Sequence, residues 1–358
     1  NSGTTARLLA GIIAGSGLEA TLTGDASLQS RPMKRVIDPL TAMGAEISTG
    51  NGRLPMKVRG RKLGSLDYDM PVASAQVKSA LLLAGVASSC EVTIRERIIT
   101  RDHTEVMLGH LGEGVSVREV KPVSVPDSAD PRKKHLRMPE PFKREIRLSA
   151  GAQVTGGTID LPGDISTAAF FLAAAAISGR TVAVENLGLN PTRTAYLDHL
   201  RAIGCRVEIK DRSTVSGESR GTVTVTGGPL KPRKISGDVT VGLIDEIPIV
   251  AVMAAFADGT TVIRDASELR LKESDRLAAV SENLTRMGVK CGLLDDGLVI
   301  EGGKDFAGAD FQSFGDHRIA MAFSIAALSL VGPSTIDHDD CVSVSCKPFY
   351  KLLDSIVI

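Results

Sequence analysis

The segment LKESDRL at 271–277 gathers two basic and two acidic side chains into seven residues. Lys272 and Arg276 stand four apart, a spacing that places both on one face of a helix with Glu273 beside them. Such a group can hold an anion and pass a proton, although a charged turn of this kind usually means a solvated stretch with internal ion pairs. Asp245 in DEIPIV and Arg318 in DHRIAM supply a further carboxylate and guanidinium. Arg31 in SRPM and Arg101 in TRDHTE each follow a β-branched run, and Arg7 lies one turn into NSGTTARLLAG. Any one arginine means little. Guanidiniums recurring at corresponding points of the chain imply ligands that carry several phosphates or carboxylates.

The same points are helix starts, where unpaired N–H groups and the helix dipole favour anions. They read Asn1-Ser2-Gly3-Thr4, Ser74-Ala75-Gln76, Asp164-Ile165-Ser166, Asp245-Glu246 and Asp316-His317-Arg318. Taken singly, each is an ordinary N-cap, and Asp164-Ile165-Ser166 is left in that class. The others carry groups a cap does not need: Gly3, which permits close backbone approach, the amide of Gln76, and Arg318 beside Asp316.

These starts belong to an internal repeat. Five segments, beginning at Asn1, Ala73, Asp164, Asp245 and Asp316, share a small or polar start, an apolar helical run, a turn and a β-branched strand. Between them recurs an amphipathic helix with a glycine stop: LTAMGAEI at 40–47, LRAIGCRVEI at 200–209, LTRMGVKCGL at 284–293 and, more loosely, MLGHLGEGVSV at 107–117. Each unit reads as βαβαββ, with helices apolar on nearly every face and therefore buried among sheets. The proline- and charge-rich stretch 120–145 reads as an exposed loop. One globule is expected over 1–162 and a second over 163–358. Asn1 begins a repeat helix with no strand before it, so a further unit upstream is expected, and the chain by itself is expected to be weakly active or inactive.

Composition removes other classes. Lys+Arg and Asp+Glu both number 42, which argues against a general nucleic-acid or anionic-membrane binder. The longest apolar runs, such as 247–257, reach about half the roughly 20 residues a membrane helix needs. The five cysteines are scattered without a CxxC pair, and the histidines do not group at metal-ligand spacing, so a reducing cytoplasm and no metal are expected. No phosphate-loop, dinucleotide, HExxH or GxSxG motif is present.

The blocks NSGTTARLLAG, SLQSRPM, SAQVKSALLLAG, TRDHTEVML, LPGDISTAAFFLAAAA, DEIPIVAVMAAFADG, LKESDRL and GDHRIAMAFSIAAL resemble, in order and across essentially the whole chain, the signatures of the 5-enolpyruvylshikimate-3-phosphate synthase family. The SAQ and TRDHTE blocks resemble its second class. The resemblance implies an α/β fold, a two-domain inside-out α/β barrel of six βαβαββ units, about five of them present here. It implies transfer of the enolpyruvyl group of phosphoenolpyruvate to the 5-hydroxyl of shikimate 3-phosphate, through a tetrahedral intermediate, with release of phosphate and without cofactor. By matching position, Asp245 would be the base for that hydroxyl, with its basicity raised by desolvation. Glu273 and Lys272 would handle the remaining protons, with the division between them open. Gly3, Thr4, Arg31, Gln76, Arg276 and Arg318 would hold phosphoenolpyruvate. Ser74, Ala75, Gln76, Arg101, Asp245 and Lys272 would hold shikimate 3-phosphate. Gly3 matches the glycine that leaves room for glyphosate in sensitive members. A monomer is expected.

The stretch CVSVSCKPFY departs from first-class members, which place a lysine where Ser345 stands; neither Ser345 nor Lys347 receives a role. Two rivals differ in kind. A UDP-N-acetylglucosamine enolpyruvyl transferase would carry a reactive cysteine in the loop before Arg31, and 25–30 has none. A non-catalytic binding relative would have no need of Asp245, Lys272, Glu273 and Arg276 together.

Overall fold

A computed structural model describes residues 2–120 and 141–356. Asn1, and positions 121–140 of the stretch read as a loop, lie outside the described residues. The chain divides into two compact units, Asn1–Ile159 and Asp160–Ile358, and each has its own apolar core.

The repeat is plainest in two sheets. In the first unit, strand Leu66–Asp69 pairs parallel with Val92–Glu96, which pairs antiparallel with Arg144–Val154, which pairs antiparallel with Gly112–Glu119. In the second, Lys234–Ile235, Thr260–Ile263, Gly297–Glu301 and Lys290–Leu294 follow the same sequence of pairings. A parallel pair needs a crossover helix and an antiparallel pair only a turn, so this order is βαβαββ written in hydrogen bonds. Strands Thr181–Gly188, Glu218–Thr226 and Arg206–Val215 keep the antiparallel part of the pattern, with a parallel bridge from Gly163 to Leu187 as the remnant of the first strand. None of the sheets among the described residues closes on itself.

The repeat helices fall where the apolar runs predict: Gly3–Gly15, Ala75–Ser88, Ile165–Ser178, Ile247–Ala255 and His317–Ala327. In the second unit the last three pack on one another, and every residue of Ile247–Ala255 is buried. The Gly3–Gly15 helix departs from the expectation of burial all round. It packs against Ala75–Ser88 and the antiparallel strands Glu19–Leu22 and Met56–Arg59, leaving Leu9 and Ile12 39% and 37% exposed. Among the described residues no helix is long and apolar enough to cross a membrane.

The connecting helices end as read at Gly44, Gly204 and Gly288, with φ of 102°, 106° and 91°, conformations that a side chain rarely adopts. The looser fourth copy ends otherwise: Gly112 is extended, and a Cβ there would lie 1.8 Å from the Gln153 carbonyl oxygen.

Candidate active site

In the second unit the site is built around Asp245. The Ile247–Ala255 helix opens at Glu246 with proline in its first turn and no side-chain cap bond. Asp245 stands one residue before that opening, and its carboxylate faces two cations. Its Oδ1 lies 3.5 Å from Lys272 Nζ and 3.8 Å from Arg276 Nη1. Arg318 Nη1 donates to the Asp245 backbone carbonyl at 2.9 Å.

Lys272 and Arg276 do not share a helical face, which corrects the reading of their spacing. Asp275 accepts from the Ala278 N–H at 3.1 Å and caps a helix that starts only at Arg276. Lys272 is extended, just past the 3₁₀ turn Ser267–Leu271. Both cations nevertheless reach Asp245, one from the loop and one from the helix start.

Arg276 is the electrostatic centre. It is 2% exposed and its partner Asp316 is fully buried. Nε donates to Asp316 Oδ2 at 2.8 Å, and Nη2 donates to Asp316 Oδ1 at 3.2 Å and Glu273 Oε2 at 2.6 Å. Burial opposes the Asp316 charge, yet the guanidinium holds its carboxyl below the ordinary value by charge and hydrogen bond. Burial equally opposes the Arg276 charge, and Asp316, Glu273 and Asp245 outweigh it. His317, desolvated and close to Arg318 and Arg276, is lowered below the usual imidazole value despite Asp316. Asp316 also caps its own helix, accepting from the Arg318 N–H at 3.0 Å.

In the first unit Gly3, Thr4, Arg31 and Gln76 come together around Arg7. Arg7 Nη1 donates to Gln76 Oε1 at 2.7 Å, Gln76 Nε2 donates to Thr4 Oγ1 at 2.7 Å, and Arg7 Nη2 donates to the Pro32 carbonyl at 3.0 Å. Arg31 is 9% exposed and donates to Ser27 Oγ at 3.3 Å. A Cβ on Gly3 would lie 2.9 Å from Arg7 Nη1 and 3.2 Å from Arg31 Nη1. The absent side chain is what lets two guanidiniums meet at the first turn of a helix. Ser74 caps the Ala75–Ser88 helix, its Oγ accepting from the Val77 N–H at 3.4 Å. Arg101 lies in the loop between the strand ending at Glu96 and the helix opening at His103.

Sequence reasoning gave no role to several groups that the geometry brings in. Arg7 was visible by position, but its hold on Gln76 spans 69 residues. The Asp164-Ile165-Ser166 start, read as a plain cap, does cap through Thr167 N at 2.9 Å, and it is also wired further. Arg193 donates to Ser166 Oγ and, at 3.3 Å, to Asp164 Oδ1, while the Ser166 hydroxyl donates to buried Glu246 beside Asp245. Nothing in the spacing of Arg193 signals this. Among the described residues no group of three or more His, Cys, Asp or Glu is placed to hold a metal ion.

A family model described as EPSP synthase (3-phosphoshikimate 1-carboxyvinyltransferase) matches residues 1–137 and 140–353. A 3-phosphoshikimate 1-carboxyvinyltransferase of Anaeromyxobacter sp. strain K is 47% identical over 360 residues, covering 99% of this chain and 76% of the relative. One from Desulforamulus reducens is 42% identical over 361 residues, covering 100% and 79%. The solved EPSP synthase of Acinetobacter baumannii superposes with a TM-score of 0.80 at 38% identity, over 99% of this chain and 77% of that one. The enolpyruvyl transferase NikO of Streptomyces tendae, at 17% identity and a TM-score of 0.70, shares the fold over 98% of this chain and 75% of its own.

Proposed function

The chain belongs to the EPSP synthase family, and on that premise we propose that it transfers the enolpyruvyl group of phosphoenolpyruvate to the 5-hydroxyl of shikimate 3-phosphate. The observation that carries the residue assignments is the convergence of Lys272 and Arg276 on Asp245, with Arg318 bonded to the same residue's backbone. Asp245 accepts the 5-hydroxyl proton as that oxygen bonds to C2 of the donor. A proton delivered to C3 completes a tetrahedral intermediate. Loss of a proton from C3 and cleavage of the bond from C2 to the phosphate oxygen then expel phosphate and restore the C2=C3 double bond, now as the enol ether of the acceptor. Glu273 and Lys272 serve these C3 protons, and Glu273 is held for the task by its bond to Arg276.

Arg31, Arg276 and Arg318 hold the carboxylate and phosphate of the donor, with Gly3, Thr4 and Gln76. Ser74, Ala75, Gln76 and Arg101 hold shikimate 3-phosphate, with Asp245 and Lys272. This reading includes a monomer working in the cytoplasm; five free thiols suit a reducing compartment.

The test is phosphate release from phosphoenolpyruvate by the full-length protein, with and without shikimate 3-phosphate. Release that needs both substrates, and that Asp245→Asn slows by about 100-fold or more at saturating substrate, is the expected result. Release without the acceptor would overturn the transfer, and an Asp245→Asn enzyme of near-parent rate would overturn the base.

A further inference from the structure

The first unit contains a group of charges that the proposed chemistry does not use. Lys78 is fully buried, with Glu96 at 1% and Glu105 at 4% exposure. Lys78 Nζ lies 3.0 Å from Glu96 Oε1 and 2.7 Å from Glu105 Oε1. Three elements meet there. Lys78 is one turn into the helix that Ser74 caps. Glu96 ends the strand Val92–Glu96. Glu105 is in the first turn of the helix His103–Leu111.

A second set of contacts runs from this triad toward Arg101. Glu96 Oε1 accepts from the Thr100 N–H at 3.3 Å and from the Thr100 hydroxyl, one residue before Arg101. Beside it, Ser79 Oγ and Thr104 Oγ1 share a hydrogen bond of 2.6 Å that joins the same two helices.

Stability alone is a poor reason for such a triad. Apolar side chains of similar volume hold a core as well as buried ions or better, because taking ions out of water consumes most of their attraction. Two carboxylates for one ammonium make the arrangement less favourable still, and burial raises the Glu105 carboxyl from its ordinary value in spite of Lys78. What an ion triad adds over a greasy contact is a fixed meeting point. Charges buried out of water lose their attraction steeply if any of the three elements carries one away, where apolar packing tolerates sliding.

We propose that Lys78, with Glu96 and Glu105, is a positioning residue that fixes the Ser74-Ala75-Gln76 helix start relative to Arg101 and thereby sets affinity for shikimate 3-phosphate. This rests on the assignment of Ser74, Ala75 and Arg101 to that substrate. The phosphate and hydroxyls of one small molecule must be met by groups from a helix start and from a loop. A shift of either spoils hydrogen bonds that weaken steeply with distance and angle. The triad reaches both the helix and, through Thr100, the loop.

The experiment measures binding of shikimate 3-phosphate alone to the full-length protein by titration calorimetry, together with the KM for phosphoenolpyruvate and the thermal midpoint. Thr100→Val removes the hydroxyl that links Glu96 to the loop while keeping shape, and is expected to weaken shikimate 3-phosphate binding about threefold to tenfold. The uncharged triple variant Lys78→Met/Glu96→Gln/Glu105→Leu is expected to fold and to weaken that binding about tenfold or more, with the KM for phosphoenolpyruvate rising by a smaller factor, since Gln76 alone of that helix start is also assigned to the donor. If the triple variant fails to fold, Thr100→Val decides alone. Parent-like affinity in Thr100→Val, or in a folded triple variant, would overturn the proposal, whatever happens to the thermal midpoint. Arg101→Gln is run beside them. If it also binds like the parent, the substrate assignment has fallen; if it alone loses binding, only the positioning role has.

Discussion

At the scale of single residues, the meeting of Arg7 and Arg31 at the first helix start, where we propose that the donor's anionic groups are held, depends on an atom that is not there. A methyl group on Gly3 would press on Arg7 Nη1 at 2.9 Å and Arg31 Nη1 at 3.2 Å, which are the far ends of flexible side chains. The fold can yield there but the charges cannot stay where they are. Gly3→Ala is therefore expected to raise the KM for phosphoenolpyruvate about tenfold, with the thermal midpoint within about 2 °C of the parent. Steady-state phosphate release and a thermal scan check both parts. The glycine itself could be read in NSGTTAR as a residue permitting close approach. Its neighbours could not, because Arg31 lies 28 residues on, just past the short helix Ala26–Ser30, and no local pattern announces that meeting. Asp164 and Ser166 were obscured for a different reason. They obey the capping rule so well that a second duty toward Arg193 and Glu246 leaves no mark in their spacing.

At the scale of elements, apolar period and glycine stops made the helices and the βαβαββ order legible, since each follows from local chemistry. What stayed hidden was how closely helices approach. Gly11 and Gly15 look like weak points in an apolar helix. A Cβ on Gly11 would stand 2.1 Å from the Ala80 carbonyl oxygen, and one on Gly15 would stand 2.6 Å from that of Ala84. These are backbone atoms of a packed helix and cannot give way cheaply. Gly11→Ala is expected to destabilise the first unit by about 3 kcal/mol or more, read from urea unfolding followed by circular dichroism.

The LKESDRL segment was misread as one helical face because a cap at Asp275 competes with continuation of the helix, and spacing alone does not say which wins. In the second unit, His199 is 2% exposed, with Arg233 Nη1 3.3 Å from its Nδ1. Desolvation first, and that guanidinium second, lower its pKa from 6.5 to about 3. The unfolded chain then binds the proton that the folded one refuses, so stability falls as pH drops below 6.5, by about 1.4 kcal/mol per unit until pH 3 is approached. Urea unfolding at pH 6 and pH 5 should show this slope, and His199→Gln should remove about one proton's share of it.

At the scale of the whole molecule, two cores, even charge and scattered thiols were all readable from composition and repeat length. The state of the thiols was not, because burial is a property of packing. Burial raises all five, with Cys205 and Cys341 pushed up to about 11. Native protein at pH 7.5 is expected to take up iodoacetamide slowly at every cysteine, and urea-unfolded protein to label at all five; mass spectrometry counts the adducts. Rapid labelling of a native thiol would contradict the packing around it. The ion pairs around Arg276 have a consequence for how an anion enters. Asp316, Glu273 and Asp245 already face this guanidinium, so the second unit behaves like an exchange resin loaded with its own counter-ions. At the donor site we propose, an incoming carboxylate or phosphate would trade places with a side chain and would not settle on bare charge. Affinity then reflects the difference between two contacts, and dissolved salt, which competes poorly with partners tethered in place, should erode it less than it would erode binding to an open basic patch.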